Sequence, residues 1–258
     1  MEGDTLDLKI TADYHSHTTY SHGKGSIADN ALCASQKGLE ILAITDHAAR
    51  HPFIGVSRKK YATIRKDLEE VQSKYDNLTL LMGIEANILG MDGDIDVSEE
   101  DISKLDVVLA GYHLTSLPYK FSDYFNITWN ALTRYTMKST KGQIARNTTM
   151  YINAIKKHKI DIITHPGFRL DIDYRQVGQA CADYGTYVEL SSRHRTPNDD
   201  NIEELLATNC QFVLDSDAHR SGDVGYCEFA KSLVEKYDIS KDRIANIDGK
   251  KLTLRSQS

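Results

Sequence analysis

Short apolar runs alternate along the chain with longer polar segments in which apolar residues recur at helical spacing. The short runs are rich in Ile, Leu and Val and predict strands, whereas the longer segments predict helices. Seven strands are predicted within DLKITADYH, LEILAITDH, LTLLMGIEA, DVVLAGYH, DIITHPG, TYVELSS and FVLDSDAH. Helices are predicted over residues 26–37, 58–74, 141–157, 174–184 and 200–208. The order of these elements predicts a repeated strand–helix unit.

This repeat predicts an α/β fold with a parallel sheet and helices outside it. Seven units within 258 residues favour a barrel over an open sheet. No low-complexity linker or internal repeat marks a boundary, so a single domain over residues 1–258 is expected. In such a barrel the carboxyl ends of all strands open onto one face, where active sites are built.

Six of the seven predicted strands end in side chains that are able to bind a metal ion. These side chains are His15, His17, Asp46, His47, Glu85, His113, His165, Asp217 and His219. Residues two apart on a strand point to the same side, so His15 and His17 form a potential chelating pair, as do Asp217 and His219. Imidazole and carboxylate together are the ligands of zinc, manganese or iron. We therefore expect a metal site at the carboxyl ends of the strands.

Charge and cysteine usage narrow the possible partners. The formal net charge of -6 argues against a dedicated nucleic-acid-binding protein, because such binding depends on clustered Lys and Arg. The apolar runs are too short for a membrane helix and the start MEGDTLDLKI lacks signal-peptide features, so a cytoplasmic location without a membrane partner is expected. The dispersed Cys33, Cys181, Cys210 and Cys227 predict free thiols.

The motifs DYHSHTTYSHG, ITDH, GIEANI, GYH, THPG and SDAH occur in this order and add His22, which lies in the loop after the first strand. Together they resemble the PHP family of phosphoesterases, named for polymerase and histidinol phosphatase, over nearly the whole chain. The length is most similar to the compact single-domain phosphatase branch. The resemblance implies a distorted (β/α)7 TIM-like barrel with a trinuclear metal centre at the C-terminal ends of the strands.

The resemblance also implies ligands for three divalent metal ions, with zinc preferred and manganese or iron as alternatives. The first ion would bind His15, His17, Glu85 and Asp217. The second would bind Glu85, His113 and His165, so that Glu85 bridges the two. The third would bind His22, His47 and His219. Glu85, Asp217 and His219 are the residues assigned to catalysis, in which a metal-activated hydroxide would attack a phosphomonoester.

Residues around these ligands are candidates for supporting roles. Asp13 and Asp46 neighbour predicted ligands and are expected to hold their ring N–H groups, with capping of a strand-end turn as the alternative. Arg193 and Arg195 in SSRHRTPND are candidates for a phosphate contact, because a guanidinium donates two hydrogen bonds to phosphate. A solvated basic turn is the alternative there. Arg169 is a further candidate.

Three other features of the sequence are interpreted more simply. Residues 114–140 form a long aromatic connection that would serve as a barrel loop, a lid or a wall of the substrate site. His51 and His158 lie off the strand-end pattern and are given no role in the site. The acidic stretch MDGDIDVSEED lacks the full calcium-loop pattern, so we interpret it as a turn before a helix N-cap at Ser98.

The predicted function is hydrolysis of a small phosphorylated metabolite. Alternatives with the same fold are a histidinol-phosphate phosphatase and a nucleotide or oligonucleotide phosphoesterase, and the modest basic content disfavours long nucleic acid. A metal-dependent amidohydrolase also begins with His-x-His, but it usually carries a bridging carboxylated lysine at the fourth strand, where this chain has His113. A non-catalytic, metal-stabilised PHP module is the alternative from another class, and it would lack one or more of the ligands.

Overall fold

The computed structural model describes residues 8–136 and 139–257, in which seven parallel strands form one sheet in sequence order. The strands are β1 (Ala12–Asp13), β2 (Ile41–Ile44), β3 (Thr79–Asn87), β4 (Val107–Gly111), β5 (Ile162–Ile163), β6 (Tyr187–Ser191) and β7 (Phe212–Asp215). The helices are α1 (Ile27–Gln36), α2 (Tyr61–Gln72), α3 (Glu99–Ile102), α4 (Phe121–Thr136), α5 (Lys141–Lys157), α6 (Tyr174–Tyr184), α7 (Asp199–Leu206) and α8 (Glu228–Lys236). The predicted α/β barrel is confirmed, with one strand at each predicted run, and β3 extends one residue beyond its run.

The ring of strands closes at a seam between β1 and β7. Beyond the strand ends, Ser16 pairs in parallel with Ala218, whose N–H donates to the carbonyl of His15 at 3.2 Å. Nearer the amino ends, Asn246 inserts its amide between the two strands. Its Nδ2 donates to the carbonyls of Ala12 and Leu214 at 2.8 Å each, and its Oδ1 accepts from the Leu214 N–H at 3.0 Å. A side chain thus replaces strand pairing, which accounts for the distortion of the barrel.

Asn246→Ala is expected to lower the free energy of unfolding by about 2–4 kcal/mol, because it removes three hydrogen bonds to buried backbone groups of Ala12 and Leu214. Chemical denaturation of the variant measures this loss. Asn209→Ala removes the same amide from an exposed position and should change the stability by less than about 0.5 kcal/mol. Equal stability of the two variants would contradict the role of Asn246 at the seam.

The interior of the barrel changes from apolar to polar along the strands. Alternate residues of a strand face inward, and toward the amino ends these are apolar, as with Val107, Leu109 and Val213. On β7 the next inward-facing residue after Val213 is Asp215, which is buried. The opposite faces of the strands pack against the helices in the main core. On β7 the inward-facing residues thus change from apolar to acidic at the carboxyl end.

The segment 114–140 differs from the expectation of a loop, because α4 occupies its centre and residues 137–138 lie outside the described part. Its apolar residues have helical spacing, and Asp123 lies in the first turn, where a negative charge favours a helix. The Ser98 N-cap is confirmed, since its hydroxyl accepts a hydrogen bond from the Asp101 N–H at 3.2 Å.

Two further expectations concerned free cysteines and the absence of a membrane helix. The four cysteines are free, as predicted, and all except Cys33 are buried. Among the helices of the described residues, none has the length and apolar character needed to cross a membrane.

Candidate metal centre

The side chains predicted as metal ligands converge at the carboxyl ends of the strands, around a cavity of about 200 Å³. Seven of them line this cavity: His22, His47, Glu85, His113, His165, Asp217 and His219. His15 and His17 lie beneath it and are almost completely buried. The parallel strands thus bring together residues from the beginning and the end of the chain.

Glu85, at the carboxyl end of β3, lies between two groups of imidazoles. Its Oε1 is 3.2 Å from Nε2 of His113 and 2.8 Å from Nε2 of His165. Its Oε2 is 3.6 Å from the Nε2 atoms of both His15 and His17. Oε2 is also 2.7 Å from Nδ1 of His47. The two oxygens thus face different groups of ring nitrogens, an arrangement that is compatible with a bridging carboxylate.

The distances among His15, His17, Glu85 and Asp217 suit a single ion. The two Nε2 atoms of the histidines are 3.2 Å apart, and Oδ1 of Asp217 lies 3.6 Å from one and 3.1 Å from the other. Two atoms that are each about 2.1 Å from one metal ion, at near-tetrahedral angles, are about 3.4 Å apart. The spacing of these ligand atoms is close to the edge length of such a site.

Buried atoms without hydrogen bonds support the same interpretation. Within the described residues, Oε2 of Glu85, Oδ1 of Asp217 and Nδ1 of His47 have no hydrogen-bond partner. Oε2 of Glu85 and Nδ1 of His47 are only 2.7 Å apart, but they lack the alignment of a hydrogen bond. Buried polar atoms normally have partners, so these convergent lone pairs fit a cation.

Burial and local charge keep four of the ligands in metal-binding protonation states. Burial lowers the pKa of His17 to about 3 and the pKa of His22 to about 4, which leaves both rings neutral at pH 7. Burial alone would raise the pKa of Glu85 and of Asp217, but the surrounding imidazoles hold both well below the ordinary carboxyl values. Neutral imidazole and ionised carboxylate are the forms that bind metal ions.

His15 shows the strength of the local negative field. Burial opposes its protonation, yet the carboxylates of Asp217, Glu189 and Glu85 raise the pKa of His15 well above its ordinary value. The same field would favour a metal cation at Nε2, since a proton and a metal ion compete for that lone pair.

A third group lies on the other side of His17. The ring centroid of His22 is 4.8 Å from that of His47 and 4.1 Å from that of His219. Nδ1 of His219 lies 2.9 Å from the backbone carbonyl of Asp217, so this nitrogen can donate and leave Nε2 as a lone pair. Ligand atoms of His17, His47 and His219 also lie within 4.8 Å of one another. The structure thus adds His17 to the neighbourhood expected for His22, His47 and His219.

Two of the predicted ligands have backbone angles that few residues other than glycine adopt. The φ angles of His165 and Asp217 are 28° and 51°, in the left-handed region. Such conformations cost about 1–3 kcal/mol each and occur mainly at functional sites. They are located where β5 and β7 give way to loops.

Sequence reasoning missed the residues that orient the histidine rings. Oε1 of Glu189, inside the barrel on β6, is 2.6 Å from Nδ1 of His15, and its Oε2 accepts from the His165 N–H at 2.5 Å. Oδ1 of Asn87 lies 2.8 Å from Nδ1 of His113. A carboxylate within the apolar run TYVELSS was the available signal, because a buried charge requires a partner.

The expected ring contacts of Asp13 and Asp46 are wrong. Asp13 accepts hydrogen bonds from the Ser216 hydroxyl at 2.5 Å and from the Gly225 N–H at 2.7 Å. Asp46 accepts from the N–H and hydroxyl of Thr18 at 2.8 and 2.6 Å. Both carboxylates hold the loops after the strands, because the nearest donors are backbone and hydroxyl groups, as in the capping alternative.

Two histidines outside the prediction also reach the cavity. His51 lines it, with its ring centroid 4.9 Å from that of His47, so the expectation that it lies outside the site is wrong. Nε2 of His194 is 2.9 Å from Oδ2 of Asp217, and these two residues and His165 form another group that could hold a metal ion. His158 lies at the end of α5, where Nδ1 is 3.1 Å from Glu99.

The predicted phosphate-binding arginines occupy different environments. Arg193 lines the cavity, with Nε 3.9 Å from Oδ2 of Asp217, and Arg169 lines it as well. The guanidinium of Arg195 lies over the ring of Phe229, 5.3 Å from its centroid. Arg195 is not one of the described residues that form the cavity wall. Its direction is set by the left-handed turn after β6, where φ of Arg195 is 54°.

A parallel barrel that gathers buried histidines and carboxylates at the carboxyl ends of its strands defines a metal-dependent hydrolase. The PHP domain model matches residues 13–249, and the chain belongs to this family. It is 32% identical over 251 residues to a protein named probable phosphatase from Thermoanaerobacter sp. (strain X514), covering 93% of this chain and 92% of that one. A probable phosphatase from Shewanella sp. (strain MR-4) is 32% identical over 252 residues, with 93% and 88% covered.

The fold is similar to that of a histidinol phosphate phosphatase from Lactococcus lactis, solved with zinc, L-histidinol and phosphate. The TM-score is 0.62 at 15% identity, and the match covers 94% of this chain and 98% of that one. Family, relatives and ligand clusters together identify the protein as a metal-dependent phosphoesterase, a hydrolase of phosphoric esters.

Proposed function

We propose that the protein is a phosphomonoesterase that hydrolyses a small phosphorylated metabolite at a centre of three divalent metal ions, zinc preferred. The observation that supports this most directly is the buried Glu85 carboxylate, whose Oε1 faces His113 and His165 and whose Oε2 faces His15, His17 and His47. His15, His17, Glu85 and Asp217 would hold the first ion. Glu85, His113 and His165 would hold the second, with His194 as an additional ligand. His22, His47 and His219 would hold the third.

When bound, divalent ions neutralise the phosphate oxygens and acidify a water molecule to hydroxide. The chain supplies the geometry for that chemistry. Glu85 and Asp217 contribute negative charge that would keep cations in the cavity. Nδ1 of His219 is directed at the Asp217 carbonyl, which leaves its Nε2 lone pair available for a cation. The Lactococcus histidinol phosphate phosphatase was solved with zinc, which supports zinc as the preferred ion.

The cavity suits a small substrate. Its volume of about 200 Å³ is below the range of drug-sized sites, and Ile54, Leu114 and Phe168 form apolar parts of its wall. Arg169 and Arg193 provide positive charge beside the metal ligands, which would favour an anionic group. Long nucleic acid is a poorer match, because the chain carries a net charge of -6.

Metal removal tests the proposal. Treatment with a chelator is expected to abolish hydrolysis of a panel of sugar phosphates, histidinol phosphate and nucleotides, and re-addition of zinc or manganese should restore it. Elemental analysis of the metal-replete protein should find close to three ions per chain. His15→Ala should lower both the metal content and the activity. Full activity in metal-free protein, or fewer than two ions under replete conditions, would contradict the proposal.

The two arginines of the RHR sequence offer a matched pair of variants. Arg193→Gln is expected to raise KM for a phosphomonoester by about tenfold or more, because it removes a charged donor from the cavity wall. Arg195→Gln removes the same charge from a side chain that lies over Phe229, and KM should change less than about twofold. Steady-state kinetics on both variants measures the difference. A larger effect at Arg195 would assign the phosphate contact to that residue.

A further inference from the structure

Two arginines line the cavity of the candidate metal centre at different distances from the predicted ligands. Nε of Arg193 is 3.9 Å from Oδ2 of Asp217, so this guanidinium is beside the ligand itself. Cζ of Arg169 is 4.9 Å from the ring centroid of Phe168, which in turn is 5.7 Å from that of His165. The exposed guanidinium of Arg169 is therefore within the width of one aromatic ring of a predicted ligand.

The turn after β5 fixes the position of Arg169. The φ angle of Arg169 is 67°, in the left-handed region. Within this turn the Phe168 N–H donates to the His165 carbonyl at 3.0 Å, and the Tyr174 hydroxyl donates to the Pro166 carbonyl at 3.0 Å. Left-handed residues other than glycine occur mainly at functional sites. The backbone thus holds Arg169 at the cavity wall before any substrate binds.

The guanidinium of Arg169 has donors that no described residue uses. It forms no ion pair or hydrogen bond with any described residue, although it has five N–H groups. Contact with the Phe168 ring limits the freedom of the side chain but takes up none of these N–H groups as hydrogen-bond donors. A guanidinium in this position suits a carboxylate or a phosphate, because its planar fork donates two parallel hydrogen bonds to either.

The ionic side chains of the cavity wall, apart from imidazoles and the predicted metal ligands, are positive. Among the described residues that line the cavity, the carboxylates are Glu85 and Asp217, and metal ions would occupy both. The other ionic side chains there are Arg169 and Arg193. An ammonium group on a substrate would therefore lie near like charge with no free carboxylate to pair with, whereas a second anion would find a guanidinium.

The size of the cavity limits the leaving group. Its volume of about 200 Å³ must hold the phosphoryl group as well as the alcohol to which it is esterified. A leaving group of about two or three carbons is the best match for a cavity below the usual range of small-molecule sites. Such a short leaving group brings a charge at its far end close to the phosphoryl group, and the short path from His165 to Arg169 suits this arrangement.

We propose that the preferred substrates are small phosphomonoesters whose leaving group carries a second anion, either a carboxylate or a phosphate, and that Arg169 binds this anion. The inference rests on the proposed function, because it assigns the substrate class of the same site. Arg193 contacts the transferred phosphoryl group, and Arg169 contacts the leaving group. Amine-bearing esters such as histidinol phosphate are then poor substrates.

Matched phosphomonoesters test this selectivity on the metal-loaded protein. The leaving groups of 3-phosphoglycerate and glycerol 3-phosphate differ by a carboxylate, and those of phosphoglycolate and ethanolamine phosphate differ in the sign of their charge. We expect kcat/KM for the carboxylate-bearing ester of each pair to be at least about tenfold higher, mainly through a lower KM. A larger preference for ethylene glycol bisphosphate over ethylene glycol monophosphate would identify phosphate rather than carboxylate as the second anion.

Arg169→Gln should raise KM for 3-phosphoglycerate by about tenfold or more and change KM for glycerol 3-phosphate by less than about twofold. Arg169→Lys keeps the positive charge and should retain part of the preference. Arg175→Gln is the matched control, because it removes the same charge from an exposed residue of α6 that is not among the described residues of the cavity wall. Metal content and melting temperature establish that each variant is folded.

Equal kcat/KM within each pair would overturn this inference, as would a higher value for ethanolamine phosphate than for phosphoglycolate. A carboxylate preference that Arg169→Gln leaves intact would also overturn it, because the metal ions or Arg193 would then be its source. Hydrolysis of the neutral esters without an anion preference contradicts this inference alone. If the metal-loaded protein hydrolyses no phosphomonoester, the proposed function fails together with it.

Discussion

Glu85→Gln is expected to lower kcat/KM by more than about 10³-fold and to remove at least one metal ion per chain. Glutamine keeps the shape of the side chain but loses the charge, and one of its two polar atoms becomes an NH₂ group that cannot bind a cation. The histidines on one side, either His113 and His165 or His15, His17 and His47, then lose their shared oxygen. Steady-state kinetics together with elemental analysis measures both effects.

The control for this variant is Glu100→Gln, which makes the same change at a side chain that is 70% exposed. Its activity and metal content should equal those of the unmodified protein, because exposed ion pairs contribute little. If Glu85→Gln retained full activity and its full complement of metal, Glu85 would not bridge two metal ions.

Glu189→Gln is expected to weaken metal binding by about 10–100-fold. The two carboxylate oxygens serve two donors, Nδ1 of His15 at 2.6 Å and the His165 N–H at 2.5 Å. Glutamine has a single acceptor oxygen, so one donor would face an NH₂ group. The ring of His15 or the backbone of His165 would then lose its orientation.

Titration of activity against buffered free zinc separates positioning from general damage. In Glu189→Gln the half-saturating zinc concentration should rise, while excess zinc should restore most of kcat. Glu203→Gln, at an exposed position on α7, should leave the zinc dependence unchanged. Loss of activity that excess zinc fails to rescue, together with a large fall in melting temperature, would indicate that Glu189 mainly stabilises the fold.

The sequence predicted the strands and the convergence of the strand-end histidines because both follow from local pattern. Apolar runs of strand length mark β1 to β7, and parallel strands must place their carboxyl ends together. His15, His47, His113 and His165 all follow such runs, so their common location required no knowledge of side-chain packing.

The sequence predicted less at positions where function depends on a neighbour from another strand. Asp13 and Asp46 are adjacent in sequence to predicted ligands, yet their carboxylates bind backbone and hydroxyl groups. Glu189 is 174 residues from His15 in sequence, but it lies inside the barrel, where its Oε1 is 2.6 Å from Nδ1 of His15. Spacing along one strand contains no information about such contacts.

The remaining differences between the sequence predictions and the structure lie in the connections between strands. His51 and His194 reach the cavity from connections after β2 and β6, whose paths no periodicity specifies. Arg193 and Arg195 are two residues apart in a turn, yet Arg193 lines the cavity wall and the guanidinium of Arg195 lies over Phe229. The α4 helix within residues 114–140 likewise placed Asp123 in a cavity that the sequence did not reveal.

By itself, the sequence determined the order of strands and helices, the barrel and the face on which imidazoles and carboxylates gather. The tertiary structure alone decided which oxygen of Glu85 faces which histidine, which carboxylate orients His15 and which arginine lines the cavity. The physical reason is that hydrophobic periodicity fixes the direction of a side chain relative to its own strand or helix. Contacts between elements depend on register, loop path and rotamer, which are set only when the whole barrel packs.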